Sequence, residues 1–129
     1  MKIFSVLPLL SLAFASTPAE DGEVALTICD LHSNSKDIYV YIKSDGSVTE
    51  SVGALLYELK NNLVFEGGRY LVLTNNKLAM AYESDHSVYI YETTLRHGSG
   101  PVFELCGDGL IGVESGCAGA ESILISTNN

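Results

Sequence analysis

The sequence predicts an all-β fold: a single antiparallel domain of short strands and tight turns, forming a small barrel or a β-trefoil-like structure, with a β-sandwich as the alternative. Short apolar runs alternate with turn-forming residues along most of the chain. The clearest example is residues 57–73, where Asn61-Asn62 and Gly67-Gly68 separate three runs of aromatic and aliphatic residues. Asn and Gly tolerate the positive φ that tight hairpin turns require, so this stretch is typical of a three-stranded meander.

The N-terminus is typical of a secretory signal peptide. Lys2 precedes an apolar run at 3–12, and Ala13 and Ala15 are small residues at the positions that a signal peptidase reads. The apolar run is too short to span a membrane, and the last residues of the chain offer no hydrophobic tail for a lipid anchor. We therefore expect a secreted protein with no membrane anchor. The expected segments are a signal peptide (1–15), a flexible acidic arm (16–23) and a single all-β domain (24–127).

Ten strands are predicted in this domain from runs of high β-propensity bounded by Gly, Asn, Asp or Ser. They cover residues 24–29, 38–43, 54–60, 63–65, 70–74, 77–83, 88–93, 102–106, 110–113 and 122–126. The segment 47–59 has an apolar spacing close to that of a helix, but Gly53 and the β-rich surroundings favour strands.

A short motif occurs twice. Residues 57–63 and 103–110 both contain an aromatic residue, Glu, Leu, a turn and a further Leu, with one residue inserted in the second copy. The spacing is compatible with the repeat unit of a β-trefoil, although no third copy is evident. The motif predicts two similar hairpins.

The charge of the chain restricts its partners. It has 16 Asp and Glu against 7 Lys and Arg, a formal net charge of −9. Nucleic acids and anionic membranes are bound by clustered Lys and Arg, so we expect neither as a partner. The acidity promotes solubility or attracts basic or cationic partners.

Five segments carry a family resemblance: 24–28, 38–48, 57–63, 68–73 and 103–110. In this order, after a secretory signal, they resemble the globular domain of ascomycete yeast cell-wall mannoproteins of the Cwp and Pir types. The resemblance implies a secreted, β-rich wall protein. The chain departs from that family because it contains no Gln, through which Pir-type proteins are linked to wall glucan, and because it lacks the Ser/Thr-rich stalk and anchor signal of Cwp-type proteins. We expect a stand-alone domain, secreted or held in the wall by weaker means.

The three cysteines, Cys29, Cys106 and Cys117, predict one disulfide and one remaining thiol in a secreted protein. Cys106 could pair with Cys117 and close the loop between them, or Cys29 could pair with either. The longer bridge would remove more entropy from the unfolded chain, about 4 kcal/mol against about 3 kcal/mol, and we favour it. The remaining thiol is then a core residue or the attachment point for a wall protein or a second copy.

Tyrosines form the candidate binding residues. Tyr39 and Tyr41, like Tyr89 and Tyr91, alternate with aliphatic residues. If the aliphatic residues face the core, each tyrosine pair lies on the opposite face. An aromatic ring with a polar tip suits the face of a sugar, so these four residues are predicted to bind carbohydrate. Alternatively, the tyrosines only stabilise a sheet through cross-strand contacts.

Catalytic patterns are weak. The histidines lie in predicted turns without the spacing of metal ligands, and Ser84-Asp85-His86 are neighbours in a turn, where they cannot form a catalytic relay. Glu58 and Glu104 occupy equivalent positions of the repeated motif, which is more typical of solvated strand positions than of a glycosidase pair. We predict no enzyme activity, no metal and no cofactor.

The expected function is that of a secreted, non-enzymatic cell-wall or extracellular protein with a structural or polysaccharide-binding role. Its expected partners are wall glucan, mannan or wall proteins, with a disulfide-linked partner or dimer also open. The alternative is a small secreted effector or toxin-like protein that acts on another organism.

Overall fold

The computed structural model describes residues 22–31 and 38–128. The predicted signal peptide and residues 16–21 of the predicted arm lie outside the described residues. Within the described part there are twelve strands: β1 (Gly22–Asp30), β2 (Ile38–Ile42), β3 (Val48–Glu50), β4 (Leu56–Lys60), β5 (Leu63–Glu66), β6 (Arg69–Thr74), β7 (Lys77–Ala81), β8 (Tyr89–Tyr91), β9 (Thr94–Arg96), β10 (Val102–Leu105), β11 (Ile111–Gly112) and β12 (Glu121–Asn128).

Eight of these strands form a closed antiparallel barrel. Their order around the ring is β1-β4-β5-β6-β7-β11-β10-β12, and β12 pairs with β1 to close it, with Ile125 opposite Ile28. Because the ring is closed, neither β1 nor β12 is left as an open edge of the sheet. The all-β small barrel predicted from the sequence is confirmed, and the single ring replaces the two stacked sheets of the sandwich alternative.

All ten predicted strands are present, and two short ones were missed. The missed strands are β3 and β9, each of three residues and each containing one aliphatic side chain. The segment 47–59 holds β3 and the start of β4 and no helix, which confirms the preference for strands there. Gly22 and Glu23, placed in the arm by the sequence, belong to β1.

Every second side chain of the ring strands points into the barrel, and together these side chains form the core. The two aromatic residues of the repeated motif, Tyr57 and Phe103, are among its largest fully buried side chains. Tyr57 lies opposite Val24 on β1, and Phe103 lies opposite Ile123 on β12. Both copies of the motif start a hairpin, β4–β5 and β10–β11, as predicted.

The strand pairing is symmetric about the β1–β12 pair, so the two copies of the motif occupy equivalent places. One edge of β1 is shared between β4 and β2, and one edge of β12 is shared between β10 and β9. Strand β3 pairs with the free edge of β2, and β8 pairs with the free edge of β9, both antiparallel. The barrel therefore carries two additional hairpins, one attached at each of the two central strands.

The β2–β3 hairpin lies across one end of the barrel. Its base pairs with β1, and β7 is four strands from β1 in either direction around the ring, hence on the opposite side. The hairpin turn reaches β7, where Gly46 is buried so closely against the Leu78 carbonyl that a Cβ would lie 2.1 Å from its oxygen. Beyond the turn, the Val48 N–H donates to the Gly109 carbonyl at 2.9 Å.

The other end of the barrel is closed in the equivalent way by β8 and β9. The Leu73 N–H on β6, opposite β12 in the ring, donates to Ser87 Oγ at 2.7 Å, and the Ile90 N–H donates to the Asn62 carbonyl at 2.7 Å. The segments that lead into β3 and β8 share the sequence Ser-Asp-x-Ser-Val, at 44–48 and 84–88. Turns were predicted in both segments, but their repeated sequence was not recognised.

In both segments the aspartate holds the serine two residues later. Asp45 Oδ1 accepts from the Ser47 N–H and hydroxyl at 2.9 and 2.7 Å, and Asp85 Oδ1 accepts from the Ser87 N–H and hydroxyl at 2.9 and 2.6 Å. The hydrogen bond from the serine hydroxyl is the main cause of the lowered pKa of each aspartate carboxyl group. A carboxyl group whose pKa is lower in the folded state stabilises the fold above its unfolded pKa, and this contribution is lost as the pH falls through the folded pKa.

We therefore expect the double variant Asp45→Asn, Asp85→Asn to lose less thermal stability than the wild type as the pH falls below the ordinary Asp pKa of 3.8. The effect is expected to be small because both carboxyl groups are exposed. Thermal unfolding followed by circular dichroism between pH 6 and pH 2 measures it. Glu58→Gln, an exposed change on β4, is the control. Identical slopes for the double variant and the wild type would contradict the expectation.

The disulfide joins Cys106 and Cys117, with the two Cα atoms 5.7 Å apart, so the favoured pairing of Cys29 was wrong. Strand register explains the outcome. Cys29 lies opposite Leu124, which lies opposite Val102 on β10, whereas Cys106 is four residues further along the chain. At about 3.3 Å per residue, Cys29 and Cys106 are separated by about 13 Å along the strands and by two strand spacings across them. That distance exceeds what a disulfide bridges.

Candidate functional site

The structure places the predicted tyrosines at both ends of the barrel. Tyr39 and Tyr41 lie on β2, and Tyr89 and Tyr91 lie on β8. Their aliphatic neighbours Val40, Ile42, Val88 and Ile90 are buried in the core, while the four tyrosines are half-buried or exposed. The alternation predicted from the sequence is therefore present at these four positions, whereas Ile38, the first aliphatic residue of β2, is 40% exposed. The two tyrosine pairs do not form one cluster.

Two of the four tyrosines lie on a single transverse row. Tyr91 is opposite Thr94, Thr94 is opposite Ser126, Ser126 is opposite Thr27, and Thr27 is opposite Tyr39. Residues directly opposite in antiparallel strands share a face, so five hydroxyl side chains follow one another at strand spacing. Thr27, next to Tyr39 in the row, is buried. This row was not predictable from the sequence because its members come from five separate strands.

Tyr41 is the predicted tyrosine that lines an open cleft. Its ring packs on the ring of Tyr57 with centroids 5.9 Å apart, and its hydroxyl donates to Glu66 Oε1 at 3.1 Å. The hydrogen bond to Glu66 is the main cause of the raised pKa of Tyr41. Tyr41 is thus fixed in orientation by an aromatic neighbour on one side and a carboxylate on the other.

The position of Tyr41 follows from how β2 leaves the sheet. Val40 is the last residue of β2 to pair with β1, opposite Leu26, because β4 pairs with β1 from the next residue onward. Leu56 lies opposite Ala25, and Tyr57 lies opposite Val24. The Tyr57 hydroxyl then holds the diverging strand: it accepts from the Ile42 N–H at 2.7 Å and donates to the Ile42 carbonyl at 3.2 Å. This turns Tyr41 toward the β5–β6 hairpin.

The far wall of the cleft comes from the Gly67-Gly68 turn. Both glycines have positive φ, 60° and 82°, and the tight turn sets Glu66 directly opposite Arg69. The Arg69 guanidinium lies 4.9 Å from the centre of the Tyr82 ring and donates to the Tyr82 hydroxyl at 3.1 Å. Tyr82 is 71% exposed. The cleft has a volume of about 190 Å³ and is also lined by Ile42, Ser44 and Met80.

The chemistry of this cleft combines three kinds of contact. Tyr41 offers an aromatic ring, Glu66 offers carboxylate oxygens that accept hydrogen bonds, and Arg69 offers planar donors. Such a combination packs on the apolar face of a sugar ring while binding its hydroxyl groups at the edges. Tyr41 was predicted from the sequence, whereas Glu66 and Arg69 of the cleft, and Tyr82 that contacts Arg69, were not. The signal that could have found Glu66 and Arg69 is the Glu-Gly-Gly-Arg hairpin turn, which pairs the flanking side chains.

Two of the remaining candidates, Glu104 and His97, have structural partners. Glu104 Oε1 accepts from the Ser115 N–H and hydroxyl, at 3.2 and 3.1 Å. His97 is buried, with Nε2 2.7 Å from the Val102 carbonyl and Nδ1 accepting from the Ser99 N–H. Across the described ranges 22–31 and 38–128, no group of three His, Cys, Asp or Glu side chains is arranged to hold a metal ion.

No protein family, curated protein or solved structure matches this chain. In the part of the chain that the structure describes, no helix has the length and apolar character needed to cross a membrane.

Proposed function

We propose that this protein is a secreted, non-enzymatic extracellular or cell-wall protein that binds a neutral wall polysaccharide through the cleft around Tyr41. The observation that carries the proposal is the joint placement of Tyr41, Glu66 and Arg69 around one open cleft. These groups match the alternating apolar and hydroxyl surfaces of a pyranose ring.

The charges of the site and of the chain favour a neutral sugar. Arg69 alone would attract an anionic sugar, but Glu66 lies beside it in the same cleft and the chain carries a net charge of −9. A surface of this sign repels polyanions over distances of several ångströms. The small volume of the cleft suits one sugar unit at the end or side of a polysaccharide chain more than an extended segment.

Two further features support an extracellular location. The N-terminus is typical of a secretory signal, and the Cys106–Cys117 disulfide is typical of an oxidising compartment. The resemblance to fungal wall mannoproteins, stated above from five short segments, points in the same direction. A wall role would then rest on sugar binding, since the chain has no Gln for a glucan linkage.

The test is retention of the purified secreted chain on insoluble β-glucan, mannan and chitin. We expect retention on at least one of these polysaccharides and at least about a ten-fold weaker affinity for Tyr41→Ala and Arg69→Ala, equivalent to about 1.4 kcal/mol. Tyr91→Ala, at the exposed tyrosine on the other end of the barrel, is the matched control and is expected to bind as the wild type does.

Two results would overturn the proposal. The first is the absence of retention on all three polysaccharides by a chain that circular dichroism shows to be folded. The second is a loss for Tyr91→Ala as large as that for Tyr41→Ala, which would move sugar binding to the transverse row of hydroxyl side chains.

A further inference from the structure

An apolar cavity lies on the other side of the β2–β3 hairpin from the Tyr41 cleft. It has a volume of about 310 Å³ and opens at the same end of the barrel. Its apolar walls come from Ile28 of β1, Ile38 and Val40 of β2, Val48 of β3 and Leu105 of β10. Ile28 and Val40 are buried at its base, and Ile38 is 40% exposed at its mouth. The β10–β11 turn, held by the disulfide at Cys106, completes it.

The two ends of the barrel differ in how fully their apolar side chains are buried. At the end closed by β8 and β9, Val88, Ile90 and Leu95 are all at most 1% exposed. At the β2–β3 end, Val48 and Leu105 remain only partly buried. Apolar surface left in contact with water costs about 25 cal/mol per Å², so an apolar occupant would gain free energy by covering these side chains.

Glu50 gives the cavity its charge. It lies on β3 two residues after Val48, hence on the same face of the strand, and it is exposed at the edge of the cavity. Among the described residues that line this cavity, it is the one with a charged side chain. A purely apolar ligand would leave this carboxylate without a partner, and an anionic ligand would meet both Glu50 and the net negative charge of the chain.

We propose that this cavity binds a small amphiphilic cation, a compact hydrocarbon body that carries an amine. The hydrocarbon covers Ile28, Val40, Val48 and Leu105, and the ammonium group lies at the carboxylate of Glu50. Charge complementarity selects this occupant, since the cavity combines apolar walls with a single acidic group at its rim. This site is separate from the Tyr41 cleft and does not depend on sugar binding.

Three isosteric probes test the proposal: 1-adamantylamine, 1-adamantanol and 1-adamantanecarboxylate, titrated into the isotopically labelled secreted chain. Backbone amide shifts locate the site, and their saturation gives the dissociation constants. We expect the amine to bind with stoichiometry near one and to shift the amides of Val40, Val48 and Leu105. The alcohol is expected to bind about five-fold more weakly because it lacks the ion pair, which is partly exposed. The carboxylate is expected to bind more weakly still.

The variant Glu50→Gln is expected to weaken amine binding about five-fold, to the level of the alcohol, and to leave alcohol binding unchanged. The control Glu58→Gln removes the same charge from an exposed position on β4 and is expected to leave the affinity for the amine as in the wild type. Both changes are on the surface and are expected to leave the fold intact.

Three results would overturn the proposal: equal affinity for the amine and the alcohol, shifts confined to residues outside the cavity, and an equal loss of amine affinity in Glu50→Gln and Glu58→Gln. The last result would show that the net charge of the chain, and not Glu50, attracts the amine.

Discussion

Gly46→Ala is expected to lower the free energy of unfolding by about 2 to 5 kcal/mol. Gly46 has a φ of +90° in the turn of the β2–β3 hairpin, and a side chain there would cost about 1 to 2 kcal/mol in backbone strain. The added Cβ would also lie 2.1 Å from the Leu78 carbonyl oxygen, a backbone atom of the barrel wall. Separating the two adds the cost of overpacking, about 1 to 3 kcal/mol.

Urea unfolding followed by circular dichroism measures this loss, with Gly68→Ala as the matched control. Gly68 has nearly the same φ, +82°, but an added Cβ there would have no neighbour within 4 Å. The control is therefore expected to lose only the backbone term, about 1 to 2 kcal/mol. If the two variants lost equal stability, the contact between the hairpin turn and β7 would not be as tight as described.

The contact at Gly46 also bears on both proposed sites. The β2–β3 hairpin supplies Tyr41 to the Tyr41 cleft on one side and Val40 and Val48 to the apolar cavity on the other. Lifting the turn away from β7 would change both walls together. The equivalent residue of the second Ser-Asp-x-Ser-Val segment, His86, is exposed and carries a side chain at a φ of 60°. The same local sequence thus tolerates a side chain only where the barrel wall is not against it.

Local features of the fold were predictable from the sequence because their causes are local. The paired Asn residues at 61–62 and 75–76 and the paired Gly residues at 67–68 all have positive φ and join neighbouring strands as hairpins. The alternation around Tyr41 correctly placed Val40 and Ile42 in the core. In each case the information lies within a few residues of the feature.

Features that depend on strand register were not predictable in the same way. The pairing of β12 with β1 closes the barrel over about 100 residues of chain separation, and the transverse row of hydroxyl side chains depends on four such registers. The disulfide was wrongly assigned because the entropy of the unfolded chain favours a long loop, whereas the register of β1, β12 and β10 keeps Cys29 far from Cys106. Arg69 lies at the Tyr41 cleft because β2 diverges from β1 toward the β5–β6 turn, and this divergence is set by the registers of β2 and β4 along β1.

Tyr57→Phe is expected to lower the free energy of unfolding by about 1 to 3 kcal/mol, although it removes a single oxygen atom. The Tyr57 hydroxyl is buried and bonds both the N–H and the carbonyl of Ile42, at the point where β2 leaves β1. A buried backbone donor that loses its acceptor costs its full desolvation free energy. Strand β1 does not bond the Ile42 N–H in place of the Tyr57 hydroxyl, because β4 pairs with β1 beyond the point where β2 leaves it.

Two comparisons separate this effect from a general loss of packing. Tyr41→Phe removes a half-buried hydroxyl that bonds Glu66, and it is expected to cost no more than about 1 kcal/mol. Burial raises the pKa of Tyr57 above its ordinary value of 10.0. The contribution of the protonated Tyr57 hydroxyl to the free energy of unfolding is therefore complete below pH 10 and is lost as the pH rises further. The wild type is therefore expected to lose stability more steeply than Tyr57→Phe above pH 10. Parallel alkaline slopes, or equal costs for the two Phe variants, would show that the Tyr57 hydroxyl does not hold the diverging strand.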